Sequence, residues 1–178
     1  MSPFGTTQAT NPADQALTST KAADIPWATT DILGNCTKVV VQTPTEGIKV
    51  LPESTAFWFN GFTKLVTIDG LGKIDTTFST NMSSMFKGCS SLRSLDLSSF
   101  NTSKVTTMYC MLENCSALTS LELSSFDTSS VTTMAYMFKR CKGFTILDLS
   151  SFDTSVASNT TQMFYECTSL KTIYASDT

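Results

Sequence analysis

Apolar positions recur along this chain with a single long period. Met85-Phe86, Met111-Leu112, Met137-Phe138 and Met163-Phe164 each open a unit, and Cys89, Cys115, Cys141 and Cys167 follow four residues after each Met. The units start at 85, 111, 137 and 163, so the repeat is 26 residues long. A fixed period in this range is the signature of a stacked repeat architecture. Within each unit the spacing Leu92-x-x-Leu95-x-Leu97 predicts a strand with Leu95 and Leu97 on one face, because strand side chains alternate. The same spacing recurs as Leu118, Leu121, Leu123, then Phe144, Leu147, Leu149, and last Leu170, Ile173, Ala175. Phe100, Phe126 and Phe152 then turn the corner. Asn101, Asp127 and Asp153 come next, each with Thr-Ser after it, a pattern suited to capping a helix start with a side-chain oxygen. Val105, Met108, Met111, Leu112 and Cys115 follow at helical spacing, which predicts a short helix of about two to three turns.

A degenerate unit precedes these. Trp58-Phe59 aligns with Met85-Phe86 at an offset of 27, whereas Leu71 aligns with Leu97 and Met82 with Met108 at 26. One extra residue near Gly70 accounts for the change, since glycine tolerates the turn or bulge it needs. Before this unit, residues 36–41 and 47–51 are β-branched runs around Thr43-Pro44-Thr45-Glu46-Gly47, which predicts a hairpin. Such a hairpin over residues 36–53 would cover the open face of the first repeat. Residues 1–35 are Thr-, Ala-, Ser- and Pro-rich with isolated apolar positions and no period, and are expected to be an extended arm. The arm has two readings: it wraps its own repeats, or it docks on another chain. The solenoid itself spans 54–178. Its fourth repeat has no return helix, so its last edge is either a boundary or a surface for a partner to cover.

Composition narrows the function. The 178 residues are 41% hydrophobic, enough for one core, and the formal charge is −3 with no basic run. Nucleic acid is therefore not an expected partner. No apolar stretch is long enough to cross a bilayer, and the N-terminal residues lack the features of a signal peptide. Histidine is absent, which removes Ser-His-Asp, Cys-His and His-ligated metal chemistry. The expectation is a protein that is not an enzyme and uses no cofactor.

The phrases CSSLRSLDLSSFNTSKVTTMYCML, CSALTSLELSSFDTSSVTTMAYMFKRC and SLKTIYASDT resemble the BspA-like leucine-rich-repeat surface proteins of bacteria. The resemblance covers residues 36–178 and carries the MF-x-x-C, L-x-L-S-x-F-x-T-S and V-T-x-M pieces in order. It implies a non-enzymatic surface module for adhesion. Repeats of this type also occur in phages of gut bacteria, where a signal peptide is not needed.

Two constellations bear on chemistry. The four periodic cysteines form one column. If helix packing holds the coils about 8–10 Å apart, they lie beyond bridging reach, and they read as small buried thiols without a metal. The residues between the inward leucines must face outward. These are Asp69, Asp96, Glu122 and Asp148, with Tyr174 in the last unit, and they form an acidic strip on the concave sheet. Plain solvation, a protein-binding strip and a calcium site are the readings open for it. The fold expected is thus an α/β repeat solenoid: a right-handed leucine-rich-repeat solenoid with a parallel concave sheet, a hairpin cap and an arm. The function expected is a surface-displayed adhesion module. Its arm would join a larger assembly such as a virion, as decoration or fibre protein, and its solenoid would bind a protein or glycan ligand of the host or mucosa. The alternative is a fragment of a bacterial cell-surface adhesin. Both place it at an extracellular surface, without membrane insertion, and homo-oligomers are compatible with either.

Overall fold

The computed structural model describes residues 7–10, 30–42 and 50–176. In chain order its elements are strand β1 (Thr7–Thr10), helix α1 (Thr30–Asn35), strand β2 (Lys38–Gln42), strand β3 (Thr67–Asp69), a 3₁₀ turn (Leu71–Lys73), strand β4 (Ile146–Leu149) and strand β5 (Thr172–Ala175). One sheet has the order β1-β2-β3 and the other is the pair β4-β5, all parallel.

The expected hairpin is not how the 36–41 run pairs. Both edges of β2 are taken, by β1 and β3, and Val50 instead bridges Ile74 in parallel. A strand has only two edges, so β2 has none left for a hairpin partner there. Residues 43–49, which hold the expected turn, lie outside the described residues. The arm lies partly outside them as well. Its described pieces are β1, which adds to the chain's own sheet, and α1, which is helical rather than extended.

From Ser54 onward the chain is a repeat fold in which each 26-residue unit forms one coil stacked on the next. Ser54 bridges Asn81, Asn81 bridges Thr107, Thr107 bridges Thr133 and Thr133 bridges Asn159, all in parallel. The offset is 27 once and 26 thereafter, matching the extra residue in the first unit. That residue is absorbed at Gly70, which adopts φ 81°. A Cβ there would sit 2.6 Å from the Val41 carbonyl oxygen of β2, so the position requires glycine on two counts.

The helix expected in each unit does not form. Residues 83–88, 109–114, 135–140 and 161–166 are rows of consecutive turns. Two left-handed residues interrupt each row: Ser84 and Gly88, Cys110 and Asn114, Tyr136 and Arg140, Gln162 and Glu166. The amides then divide. Met85, Lys87 and Cys89 donate three residues back, whereas Met82, Ser84, Phe86 and Gly88 donate to Thr107, Tyr109, Met111 and Glu113 of the next coil. A left-handed non-glycine residue costs about 1–2 kcal/mol. Each coil but the last recovers this through four inter-coil hydrogen bonds, worth about 1 kcal/mol apiece, and through burial of the side chains between them. Thr, Ser and Cys are poor helix formers, so little local preference opposes the exchange.

Threonines carry the stack around the next corner. Buried Thr102 donates through Oγ1 to the Asp127 carbonyl at 2.9 Å and accepts the Asp127 amide at 2.8 Å. Thr76 with Asn101 and Thr128 with Asp153 repeat the arrangement. Inside, Met82, Met108 and Met134 are fully buried, with Val105, Val131 and the Leu92, Leu118 and Phe144 column. Phenylalanines stack from coil to coil: Phe59 on Phe86 at 5.3 Å and Phe138 on Phe164 at 5.8 Å. The parallel sheet expected along the Leu-x-Leu positions forms only at its ends, as β2-β3 and β4-β5. Residues 94–97 and 120–123 are not strands. The turn rows, rather than a continuous sheet, link every coil to the next.

Candidate functional site

The residues between the inward leucines face outward as expected. Asp69, Asp96, Glu122, Asp148 and Tyr174 are all exposed. The structure brings them together in two groups. Asp69, Asp96 and Glu122 line one open groove of about 510 Å³, together with Ser94, Leu95 and Ser120. Asp148 and Tyr174 lie side by side in the β4-β5 register.

Local hydrogen bonds aim the carboxylates. Asp96 Oδ1 accepts the Ser98 hydroxyl at 2.6 Å and the Ser98 amide at 3.0 Å. Asp148 binds Ser150 in the same way, at 2.6 and 2.9 Å. Glu122 accepts the Ser124 amide at 2.9 Å. These bonds favour the charged form, and they hold Asp96, Glu122 and Asp148 below the ordinary carboxylate range. Asp148 works against the shift at Glu122, as a like charge must. Asp69 pairs with Lys38 of β2 at 2.5 Å. Asp127 and Asp153 cap turns: each accepts the amide of the serine two residues on, Ser129 at 3.0 Å and Ser155 at 2.8 Å. That is the capping role expected of them, at a turn instead of a helix.

The cysteine column is buried through Cys89, Cys115 and Cys141 and half-buried at Cys167, and all four thiols are free. The reason expected for their separation does not apply, because no helices space the coils and hydrogen bonds join them directly. Each thiol instead donates to a carbonyl of the preceding coil: Cys89 to Phe59, Cys115 to Phe86, Cys141 to Leu112 and Cys167 to Phe138, at 3.0, 3.1, 3.1 and 2.9 Å. Burial pushes the Cys89 and Cys141 thiols up to about 12. Among the described residues no group of three or more His, Cys, Asp or Glu is placed to hold a metal ion.

A second surface was not apparent from the repeat. Tyr109, Tyr136 and Tyr165 lie on the outer side of the turn rows with Lys139 among them. Tyr109 packs edge-on against Tyr136 at 5.7 Å, and Lys139 Nζ sits 4.9 Å from the Tyr136 ring and 5.5 Å from that of Tyr165. Lys87 and Lys139 flank Glu113 at 2.8 and 4.0 Å, and Arg140 pairs with Glu166 at 2.8 Å. The tyrosines are spaced by 27 and 29 residues, off the period, so aligning the units places them in different columns. A second concavity, of about 550 Å³, opens on the last coil and is lined by Leu149, Phe152, Met163, Phe164 and Ile173.

Parallel stacked coils, a buried apolar interior and charged side chains confined to the outer faces define a repeat protein. Residues 54–176 match the family described as "Mycoplasma protein of unknown function, DUF285", and the chain belongs to that family. No curated protein matches. Among solved structures the chain is similar to a leucine-rich repeat protein from Bacteroides ovatus ATCC 8483, at 16% identity and a TM-score of 0.46. The match covers 77% of this chain and 33% of that one, so this chain spans about a third of its length.

Proposed function

We propose that the chain is a non-enzymatic interaction module of the BspA-like leucine-rich-repeat type, a right-handed solenoid displayed at an extracellular surface. The observation that carries this reading is the outward acidic strip. Its carboxylates are exposed, held in place by Ser98, Ser124 and Ser150, and kept ionised. Asp148 opposes the charge on Glu122, because like charges at short range repel even in water. A cationic protein surface laid on the strip relieves that repulsion, which makes it the favoured ligand there.

The rest of the reading concerns attachment. Residues 1–35 join the module to a larger assembly such as a virion, in which it is a decoration or fibre component. The BspA-like phrases of the repeats favour a second reading, a piece of a bacterial cell-surface adhesin. The strip is tested with an immobilised lysine-rich peptide. The unaltered chain is retained and released by salt, whereas Glu122→Lys with Asp148→Lys lowers retention at least tenfold without lowering the melting temperature. Equal retention by the double variant would show that the strip is not the binding face.

A further inference from the structure

The tyrosine surface lies apart from the acidic strip, and its chemistry is different. Tyr109 and Tyr165 are 42% and 47% exposed, well above the level of the core aromatics. Their positions are set by the Tyr109–Tyr136 edge contact and by the Lys139 ammonium between Tyr136 and Tyr165. Rings held this way present flat apolar area at little entropic cost, because few side-chain rotations remain to be frozen.

The charges around the rings favour an anion. Lys87, Lys139, Arg140 and Lys142 stand against Glu113 and Glu166, a local cationic surplus on a chain whose net charge is −3. Glu113 is enclosed between two lysines, with its side chain only 13% exposed. Arg140 meets Glu166 through Nε. Its Nη nitrogens make no hydrogen bond to a described residue, which leaves that edge of the guanidinium for an incoming carboxylate. The backbone beneath is already committed. Cys110, Leu112 and Asn114 donate to Ala135, Met137 and Lys139, and Tyr136, Phe138 and Arg140 donate to Thr161, Met163 and Tyr165. A peptide therefore finds no strand edge to extend, and recognition here must come from side chains alone. A pyranose ring meets those terms: its C–H face packs on a tyrosine ring, its hydroxyls reach the phenols, and a carboxylate on the ring reaches Arg140 and Lys139.

We propose that Tyr109, Tyr136 and Tyr165, with Lys139 and Arg140, form a binding site for acidic sugars, that is, pyranoses carrying a carboxylate. The test titrates the full chain with 3′-sialyllactose, a hyaluronan tetrasaccharide and neutral lactose, read by saturation-transfer NMR and calorimetry. At least one acidic sugar is expected to bind at least tenfold more tightly than lactose. Tyr165→Ala and Arg140→Gln each weaken that binding at least tenfold, while melting curves stay within a few degrees of the unaltered chain because both side chains are at the surface. Tyr109→Phe keeps the ring and retains most of the affinity. Glu122→Lys with Asp148→Lys leaves it unchanged, which separates this site from the acidic strip. Failure to bind either acidic sugar, equal binding of lactose, unchanged affinity in the Tyr165 and Arg140 variants, or tighter binding of a polyglutamate peptide would each overturn the proposal.

Discussion

At the scale of single residues, hydroxyl side chains do opposite jobs at different positions of the repeat. Ser98 and Ser150 orient carboxylates in water, whereas Thr102 and Thr128 are buried and join one coil to the next. The cysteines separate in the same way. Thiolate is the reactive form of cysteine, and burial disfavours it. Cys110 is pushed up to about 11, Cys115 well above its ordinary value of 9.0, and Cys89 and Cys141 to about 12. Cys167 is half-buried in the last coil. Iodoacetamide at pH 8 should therefore label Cys167 first among the periodic cysteines. Mass spectrometry that finds Cys115 labelled before Cys167 in the folded chain would contradict the buried ladder.

At the scale of elements, the repeat was legible in the sequence but the form of its second half was not. The inward positions Leu92, Leu97, Phe100, Val105, Met108 and Cys115 are buried as their spacing implies. The spacing of Val105, Met108, Met111, Leu112 and Cys115 fits a helix, and it fits equally a row of turns whose alternate amides cross to the next coil. Only the neighbouring coil decides between them, by supplying the carbonyls. The exposed acidic residues were likewise readable from strand alternation, but their division between a groove and the β4-β5 pair was not. The tyrosine cluster was hidden because its members occupy different columns. Glycines test how tightly the coils pack. A Cβ on Gly143 would lie 2.2 Å from the Leu118 carbonyl oxygen of the preceding coil, while Gly34 in α1 has open space. Gly143→Ala should lower stability by about 1–3 kcal/mol, seen as a lower denaturant midpoint. Gly34→Ala should be neutral or slightly stabilising. Equal midpoints for the two variants would mean that the coils do not approach as closely as described.

At the scale of the whole molecule, the absence of histidine shapes the response to pH. Asp96, Asp127, Asp148 and Asp153 sit below their ordinary value of 3.8, and Glu113, Glu122 and Glu166 below 4.5. A carboxyl lowered on folding contributes stability that is complete above its unfolded value and is lost as pH falls through the folded one. The cysteines give the opposite limb: their thiols are raised from 9.0, so the unfolded chain releases protons first and stability declines as pH rises above 9. With no histidine in between, the melting temperature should be nearly flat from about pH 5 to 8.5 and fall on both sides. Cys89→Ala with Cys141→Ala should flatten the alkaline limb relative to its own neutral value. A steep slope near pH 6.5 would contradict this expectation.

The sequence by itself determined the period, the inward columns, the outward carboxylates and the extra residue near Gly70, because each follows from spacing along the chain. The tertiary structure alone decided that the second half of each unit is turns, that β2 pairs with β1 and β3, and that the thiols rest on carbonyls of the coil before. It also decided that three tyrosines from out-of-register positions meet around Lys139. The physical reason is common to all four. Each depends on a hydrogen bond or a ring contact between residues about 25–32 positions apart in the chain, and no local pattern records what a distant segment will present.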